Sequence, residues 1–551
     1  MKNFIQTILL GLAFTTAAHA QSIVNSGAEI VNSAGSYWVV DNGAVTLSST
    51  NMLVFANLSI TDDASLTVPS SLAVTVNGTL TNNAGDGGLT LQSSAASSAS
   101  LIHNNANVAG TVEHYLANNQ WYIIGSSVDG QDINGFLSDA NNSIAYKAGN
   151  GGFYGVTTYN ETTNLWDDYL TASAVGSFAN GTGYLVRRQA TDGSVSFGGT
   201  LSADNVLVGV SRLGKGWNGV SNPYPCAIGV NSDAVTPKNF LTQNTGVLDD
   251  NYEALYVSDP TSDDYIIVSQ AAFSNTTGKE QWLTSYFQSG QGFIVRSSGS
   301  ENVVFDTDMR IHQPDLILKS GRKEWSGVVL AAAIKGATSK TGITFHEGMT
   351  NGLDAGYDAG AFKAKGAVSV FTQLAENNGV DFGLQCLPES AAEGTVLAVG
   401  LETSTGGEVT FSLEKVLFSP FTKVSLEDRT MGTTTNFDSP SDAYTALIEK
   451  GSPAYGRFYL TFGETTGNSA MNNIGLNAWF SNGNIIVNGE LSTKAKMALY
   501  DIRGRKIREI NSQEINSRSF EVSSLISGVY LLDILDGGRH ASIKIPIIKN
   551  N

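Results

Sequence analysis

The chain reads as an all-β protein of several domains, and three observations carry that reading. Only 15% of its 551 residues are charged, against about a quarter in an ordinary globular chain, while Gly, Ser, Thr and Asn abound. Short apolar runs rich in β-branched and aromatic residues are separated throughout by polar turns, the signature of many short strands and almost no long helix. One stretch of such runs recurs, in outline, about a hundred residues later.

The elements follow in chain order. Residues 1–20 have a basic start at Lys2, an apolar segment from Ile5 to Ala18 and a small-x-small site at Ala18-His19-Ala20, which together predict a secretory signal peptide. No later run reaches the ~18 apolar residues of a membrane-spanning helix, so no transmembrane segment is expected. With no Cys beside the cut, a lipoprotein is not expected either. From 21 to 115 apolar residues alternate in runs such as Val45-Thr46-Leu47, Leu58-Ser59-Ile60, Leu66-Thr67-Val68 and Leu89-Thr90-Leu91, broken by Asp-Asn-Gly and Asn-Gly-Thr turns. Such close, irregular spacing suits the stacked coils of a β-solenoid, with a flat sandwich as the competing reading. With the Ala99-Ser100-Leu101-Ile102 run before Gly110-Thr111-Val112-Glu113-His114-Tyr115, the segment resembles the solenoid-like envelope region of many Bacteroidota surface proteins.

Trp121-Tyr122-Ile123-Ile124-Gly125 recurs as Trp217-Asn218-Gly219-Val220-Ser221, Gly183-Tyr184-Leu185-Val186-Arg187 as Gly292-Phe293-Ile294-Val295-Arg296, and Ser194 to Phe197 as Asn302 to Phe305. The offsets are 96, 109 and 108, so the second copy gained residues internally. Two related β-domains are therefore expected at 116–212 and 213–315. Asn222-Pro223-Tyr224-Pro225 is a rigid reversal, not a catalytic motif. A β-sandwich is expected at 316–466; its Gly352 to Ala359, Val424 to Arg429 and Tyr455 to Phe462 segments resemble a module found just before a sorting domain.

Residues 472–551 carry three strand-like runs, at Lys496 to Tyr500, Gly528 to Leu535 and Ala541 to Ile548, with Ile543, Ile545 and Ile547 on one face of the last. This is a small antiparallel sandwich with an edge strand at Pro546. Tyr500, Asp501 and Gly504, then Gly528 and Tyr530, then the basic end at Lys549, resemble the Ig-like C-terminal sorting domain of proteins exported by the type IX secretion system of Bacteroidota. That resemblance implies export through the periplasm to the cell surface or medium. It also implies recognition by the translocon and its sortase, and either release or joining to an anionic lipopolysaccharide.

Charge narrows the partners. Removal of the leader takes away Lys2 and leaves 31 basic against 50 acidic residues, a net −19; residues 470–551 hold 10 against 7, so the body carries −22. An acidic body repels nucleic acid and anionic membranes. Cys226 and Cys386, far apart, read as two buried thiols, with a disulfide as the alternative.

The six histidines share no metal-site spacing and read as surface or turn residues. No nucleophile elbow, phosphate loop or dinucleotide fingerprint occurs in context. Asp167 with Asp168, or Asp263 with Asp264, are the candidate glycosidase pairs, against solvated turn acids. Asp354 and Asp358, beside turn glycines, are the candidate calcium ligands; Asp249, Asp250 and Asn251, with Asp259 and the Asp263-Asp264 pair, form a second acidic cluster. Trp166, Trp282 and Tyr265 sit in polar surroundings and are the candidate stacking rings for a glycan; Trp121 and Trp217 head strands and read as core. The expected function is structural or adhesive and non-enzymatic, holding a host or surface ligand; glycan binding and glycan hydrolysis are the alternatives.

Overall fold

The computed structural model describes residues 37–547 apart from 50–51, 150–151, 167–168, 190, 260–263, 277–284, 313–323, 364–366, 375–377, 418–422, 451–455, 464–476, 482, 489–490, 493–494, 502–504, 511–516 and 537–538. The leader, Asp167, Asp168, Asp263, Trp282, Gly504 and Lys549 lie outside the described residues.

The N-terminal ladder is a three-faced solenoid. Its first coil is β1 (Tyr37–Val40), β2 (Gly43–Thr46) and β3 (Leu53–Phe55); its second is β4 (Asn57–Ile60), β5 (Ala64–Val68) and β6 (Ala73–Val76); its third is β7 (Leu80–Asn82), β8 (Leu89–Leu91) and β9 (Ser100–Ile102). Each face stacks one strand per coil in parallel, as β1-β4-β7, β2-β5-β8 and β3-β6-β9. Tyr37 pairs with Asn57 and Leu58 with Leu80, so a coil takes 20 and then 22 residues on that face. Alternation does the rest: Leu58, Ile60, Leu66, Val68, Val74 and Leu89 all point inward and are buried.

The solenoid passes into the first repeat without a break. The strand Ala109–Leu116 pairs in parallel with β8 and antiparallel with Gly193–Leu201, so one sheet runs across the expected boundary at 115. At its far side the solenoid's last two coils are clamped to the second repeat. Leu101 N–H donates to Pro225 O at 2.8 Å, Arg310 donates to His103 O at 2.7 Å, and His312 bonds Thr75 Oγ1 and Ser100 Oγ, each at 2.7 Å.

The duplication is visible strand for strand. Repeat one orders its sheet as Trp121–Ile124, Tyr184–Arg187, Val156–Asn160 and Leu165–Trp166; repeat two orders Trp217–Ser221, Gly292–Arg296, Leu255–Ser258 and Tyr265–Val268 in the same way. Trp121 faces Arg187 as Trp217 faces Arg296. Each copy also carries one short helix, Ile133–Ser138 capped by Asp132 and Phe240–Gln243 capped by Asn239.

The two copies meet about a local pseudo-twofold. Ile124 bridges Gln291 while its counterpart Val220 bridges Thr182, and Gly125 N–H donates to Gly290 O as Ser221 N–H donates to Gly181 O. Like contacts like, as in an isologous dimer folded into one chain. Small residues permit it: a Cβ on Gly183 would lie 2.8 Å from Val220 O, and one on Gly292 would lie 2.5 Å from the Ile123 side chain. A further clasp comes from Glu161 of repeat one, whose carboxylate accepts N–H groups of Leu213, Gly214 and Gly216 at the entry to repeat two. Burial works to raise that carboxyl's pKa, but the N–H donors outweigh it and hold the pKa below the ordinary value.

The expected sandwich is one hydrogen-bonded sheet that curls over its own core, running from Thr433–Asn436 through Val424–Asp428 and Phe458–Phe462 to Gly407–Leu417 and Ala443–Ile448 at the other edge. The Asp428 and Arg457 segments singled out in the sequence close it. Asp428, fully buried, takes a fork from Arg457 at 2.7 and 3.0 Å and a bond from Tyr444 Oη at 2.7 Å. Losing one partner of such a pair costs ~3–5 kcal/mol. The sorting domain packs two sheets, Asn477–Ser481 with Asn484–Asn488 and Ser519–Glu521 against Lys496–Asp501 with Lys506–Ile510, Gly528–Asp536 and Arg539–Ile547. Ile543, Ile545 and Ile547 face its core, and the Pro546 strand lies at the edge.

The seam predicts an asymmetry between glycines. Gly183→Ala forces the two repeats apart and destabilises the chain by ~1–3 kcal/mol. Gly87→Ala, where a Cβ meets nothing within 4 Å, leaves the melting temperature within error. Calorimetry of the two variants checks this.

Candidate functional site

The candidate side chains converge on one place, an aromatic seam where both repeats meet the curled sheet. Its hub is Phe362, whose ring centroid lies 4.4 Å from Trp217, 4.6 Å from Tyr265 and 6.2 Å from both Tyr159 and Tyr256. The contacts are edge-to-face or tilted, the preferred arrangement of ring quadrupoles. Tyr256 Oη donates to Gly360 O at 2.7 Å, and Lys363 pairs with Asp381 and Glu402 at 2.6 Å each, fixing the segment that carries Phe362. Further along, Trp325 stacks on His346 at 3.9 Å.

Two of the three glycan candidates lie here. Trp166 and Tyr265 occupy matching positions in the two repeats, opposite Tyr159 and Ser258 respectively. Trp166 meets Tyr159 at 85°, Tyr265 meets Phe362 at 87°, and the two bond to each other. Burial raises the Tyr265 phenol above its ordinary pKa. A sugar platform needs exposed coplanar faces; these half-buried rings meet their neighbours edge-on and join the domains.

The cleft beside them is lined by Asp264, Tyr265, Asn275, Ser339, Lys340 and Phe362, among others. Asp264 accepts from Tyr265 N at 2.9 Å and Lys340 N at 2.7 Å, and burial still pushes its carboxyl up to about 6. No second carboxylate among the described residues lines that cleft. Asp264 thus ties repeat two to the curled sheet through the Lys340 amide.

Asp354 and Asp358 share one turn. The Asp358 oxygens accept Cys386 N at 2.6 Å and Asp354 N at 2.7 Å; those of Asp354 accept Thr350 N at 2.6 Å and Thr350 Oγ1 at 3.1 Å. Each of the four oxygens therefore already has a donor. Burial pushes the Asp358 carboxyl up to about 7. Among the described residues no three His, Cys, Asp or Glu side chains are grouped to hold a metal. In the second acidic cluster, Asp249 pairs with Arg212 at 2.5 Å and with Arg296 at 3.8 Å. Cys226 and Cys386 are both buried free thiols; burial pushes Cys226 up to about 12.

The histidines depart from the sequence reading. His103 and His114 are buried and His312 is partly so, at the joint of solenoid and repeats. Burial lowers each to about 4, with the Arg310 charge adding to the effect at His103. Nothing in their spacing marks them, because each is buried by chain more than eighty residues away.

In the sorting domain, Tyr500 pairs across to Leu531 and Asp501 to Tyr530, and Asp501 accepts from Arg505 N at 2.9 Å and Arg505 Nε at 3.0 Å. Gly528 opens the strand whose Tyr530 Oη donates to Ile526 O. Tyr500, Asp501, Gly528 and Tyr530 thus share one sheet.

Residues 32–462, which hold the solenoid, the repeats and the curled sheet, match a family model described as "Domain of unknown function (DUF8693)". The chain belongs to that family. The family unit ends where the curled sheet ends, so its span coincides with the interlocked body. A second model, the "Secretion system C-terminal sorting domain", matches residues 481–549. The chain is a type IX secretion cargo, exported through the periplasm to the cell surface or the medium, and its tail engages that machinery. No curated protein matches the chain. Among solved structures, a "Biofilm associated protein - BSP domain" is similar at 9% identity over 80% of this chain and 92% of that one, with a TM-score of 0.14. No helix among the described residues is long and apolar enough to cross a membrane.

The depressed histidines set a pH dependence. A folded pKa of about 4 against ~6.5 unfolded means that stability is fully present above pH 6.5 and is lost as pH falls toward 4. His312→Gln removes that loss, so wild type drops by up to ~3 kcal/mol relative to the variant over this window. Denaturant melts of both at pH 7, 5.5 and 4.5 check the narrowing difference.

Proposed function

We propose that the DUF8693 body is a non-enzymatic structural or adhesive element of the cell surface, a stiff support that holds a ligand-binding face away from the membrane. The observation that carries this is the Phe362 seam: rings from both repeats and the curled sheet close on one side chain, and the solenoid is clamped to the same body by His312 and Arg310. An element bearing load gains from such cross-bracing, whereas an enzyme of this size needs a concave site with convergent polar groups. The carboxylates in view are engaged in backbone bonds and ion pairs. After export, the tail is removed by the sortase and the acidic body is joined to anionic lipopolysaccharide or released.

A deletion strain tests the reading. Attachment to abiotic and glycan-coated surfaces falls on deletion and returns with the full-length gene. It does not return with a chain lacking residues 528–551, which accumulates in the periplasm. Normal attachment by the deletion strain, or turnover of a defined substrate by the purified body, contradicts the proposal.

A further inference from the structure

The curled sheet seals Trp217 in repeat two, whereas in repeat one Phe362 reaches Tyr159 but not Trp121. In repeat two, Trp217 is buried at 6% exposure with Phe362 and Tyr252 against its ring and Arg296 over Tyr252 at 3.9 Å. Arg296 there is satisfied by Lys215 O at 2.9 Å and lies 3.8 Å from Asp249. The matching place in repeat one is built from the same parts and left open. Trp121 is only half-buried, and Tyr169, 46% exposed, lies nearly parallel to it at 17° and 5.7 Å between centroids. Arg187 sits 5.6 Å over the Trp121 ring, and its buried Nε makes no hydrogen bond among the described residues. Its Nη2 donates to Asn119 Oδ1, on an exposed turn, Asn118-Asn119, that replaces the Gly214-Lys215 of repeat two.

We propose that Trp121, Tyr169, Arg187 and the Asn118-Asn119 turn form a binding site for a neutral glycan. Backed by Trp121 in the stack, the exposed ring of Tyr169 offers its outer face to the C–H face of a pyranose. The guanidinium and the side-chain amides supply the donors and acceptors that sugar hydroxyls need. Neutrality follows from the charge of the body: a surface embedded in a net −22 disfavours a polyanion. The site lies at the end of repeat one that Phe362 does not reach, so it goes beyond the support role and does not depend on it.

The test uses the purified mature chain and calorimetric titration. The probes are hexasaccharides of β-1,4-glucose, β-1,3-glucose and α-1,6-mannose, with a polygalacturonate hexasaccharide and the peptide Ala-Gly-Ala-Phe-Lys as anionic and protein arms. At least one neutral hexasaccharide binds, and Tyr169→Ala, which folds because the ring is half-exposed, weakens it about tenfold or more. Tyr37→Ala, at the far end of the solenoid, binds as wild type. Binding to no neutral probe, binding to the polygalacturonate or the peptide alone, or unchanged affinity in Tyr169→Ala overturns the proposal.

Discussion

The contact on which the body depends is the close approach of two backbones about the pseudo-twofold. Gly183 and Gly292 leave no room for a Cβ, and because they leave none, the Trp-led strands of both repeats line up end to end. That alignment brings Tyr159 and Trp166 of one copy beside Trp217, Tyr256 and Tyr265 of the other. One ring from the curled sheet, Phe362, then meets Tyr159, Trp217, Tyr256 and Tyr265. Widen the seam by one methyl group and Phe362 loses partners on both sides at once; each aromatic pair is worth ~0.5–1.5 kcal/mol beyond its buried area.

Much of the plan is legible in local sequence, because local rules produce it. Period-two alternation in Leu58-Ser59-Ile60 or Leu66-Thr67-Val68 specifies an inward face whatever stacks on it, so the solenoid is readable. The sorting domain is readable because Ile543, Ile545 and Ile547 follow the same rule and Pro546 belongs at an edge. The duplication shows itself in matched Trp and Gly-aromatic strands. What escaped is everything decided by a distant partner. Trp121 and Trp217 look alike in sequence, yet one is sealed by Phe362 and the other is half-open. Trp166 and Tyr265 look exposed among polar neighbours, yet they bond to each other across the twofold. His103, His114 and His312 are unremarkable singly and become joint residues only when the solenoid closes on repeat two.

The acidic residues follow the same logic. In a linear reading Asp358 suggests a cation site and Asp264 half of a catalytic pair, while Glu161 draws no notice. In the fold each carboxylate is instead a clasp, accepting backbone N–H groups from a segment remote in sequence. Burial raises Asp358 and Asp264, while at Glu161 the number of donors prevails and lowers it. Asp264 and Glu161 thus join domains, while Asp358 pins one turn within the curled sheet.

The central claim is that solenoid, repeats and curled sheet form one cooperative body on the Phe362 seam, with the sorting domain apart from it. Differential scanning calorimetry of the mature chain, wild type and Phe362→Ala, tests this directly. The account predicts one transition for the body, lowered by the substitution by ~3–5 kcal/mol, and a second, unmoved transition for the sorting domain. Separate melting of the repeats and the curled sheet in wild type, or a body transition indifferent to Phe362→Ala, would contradict it.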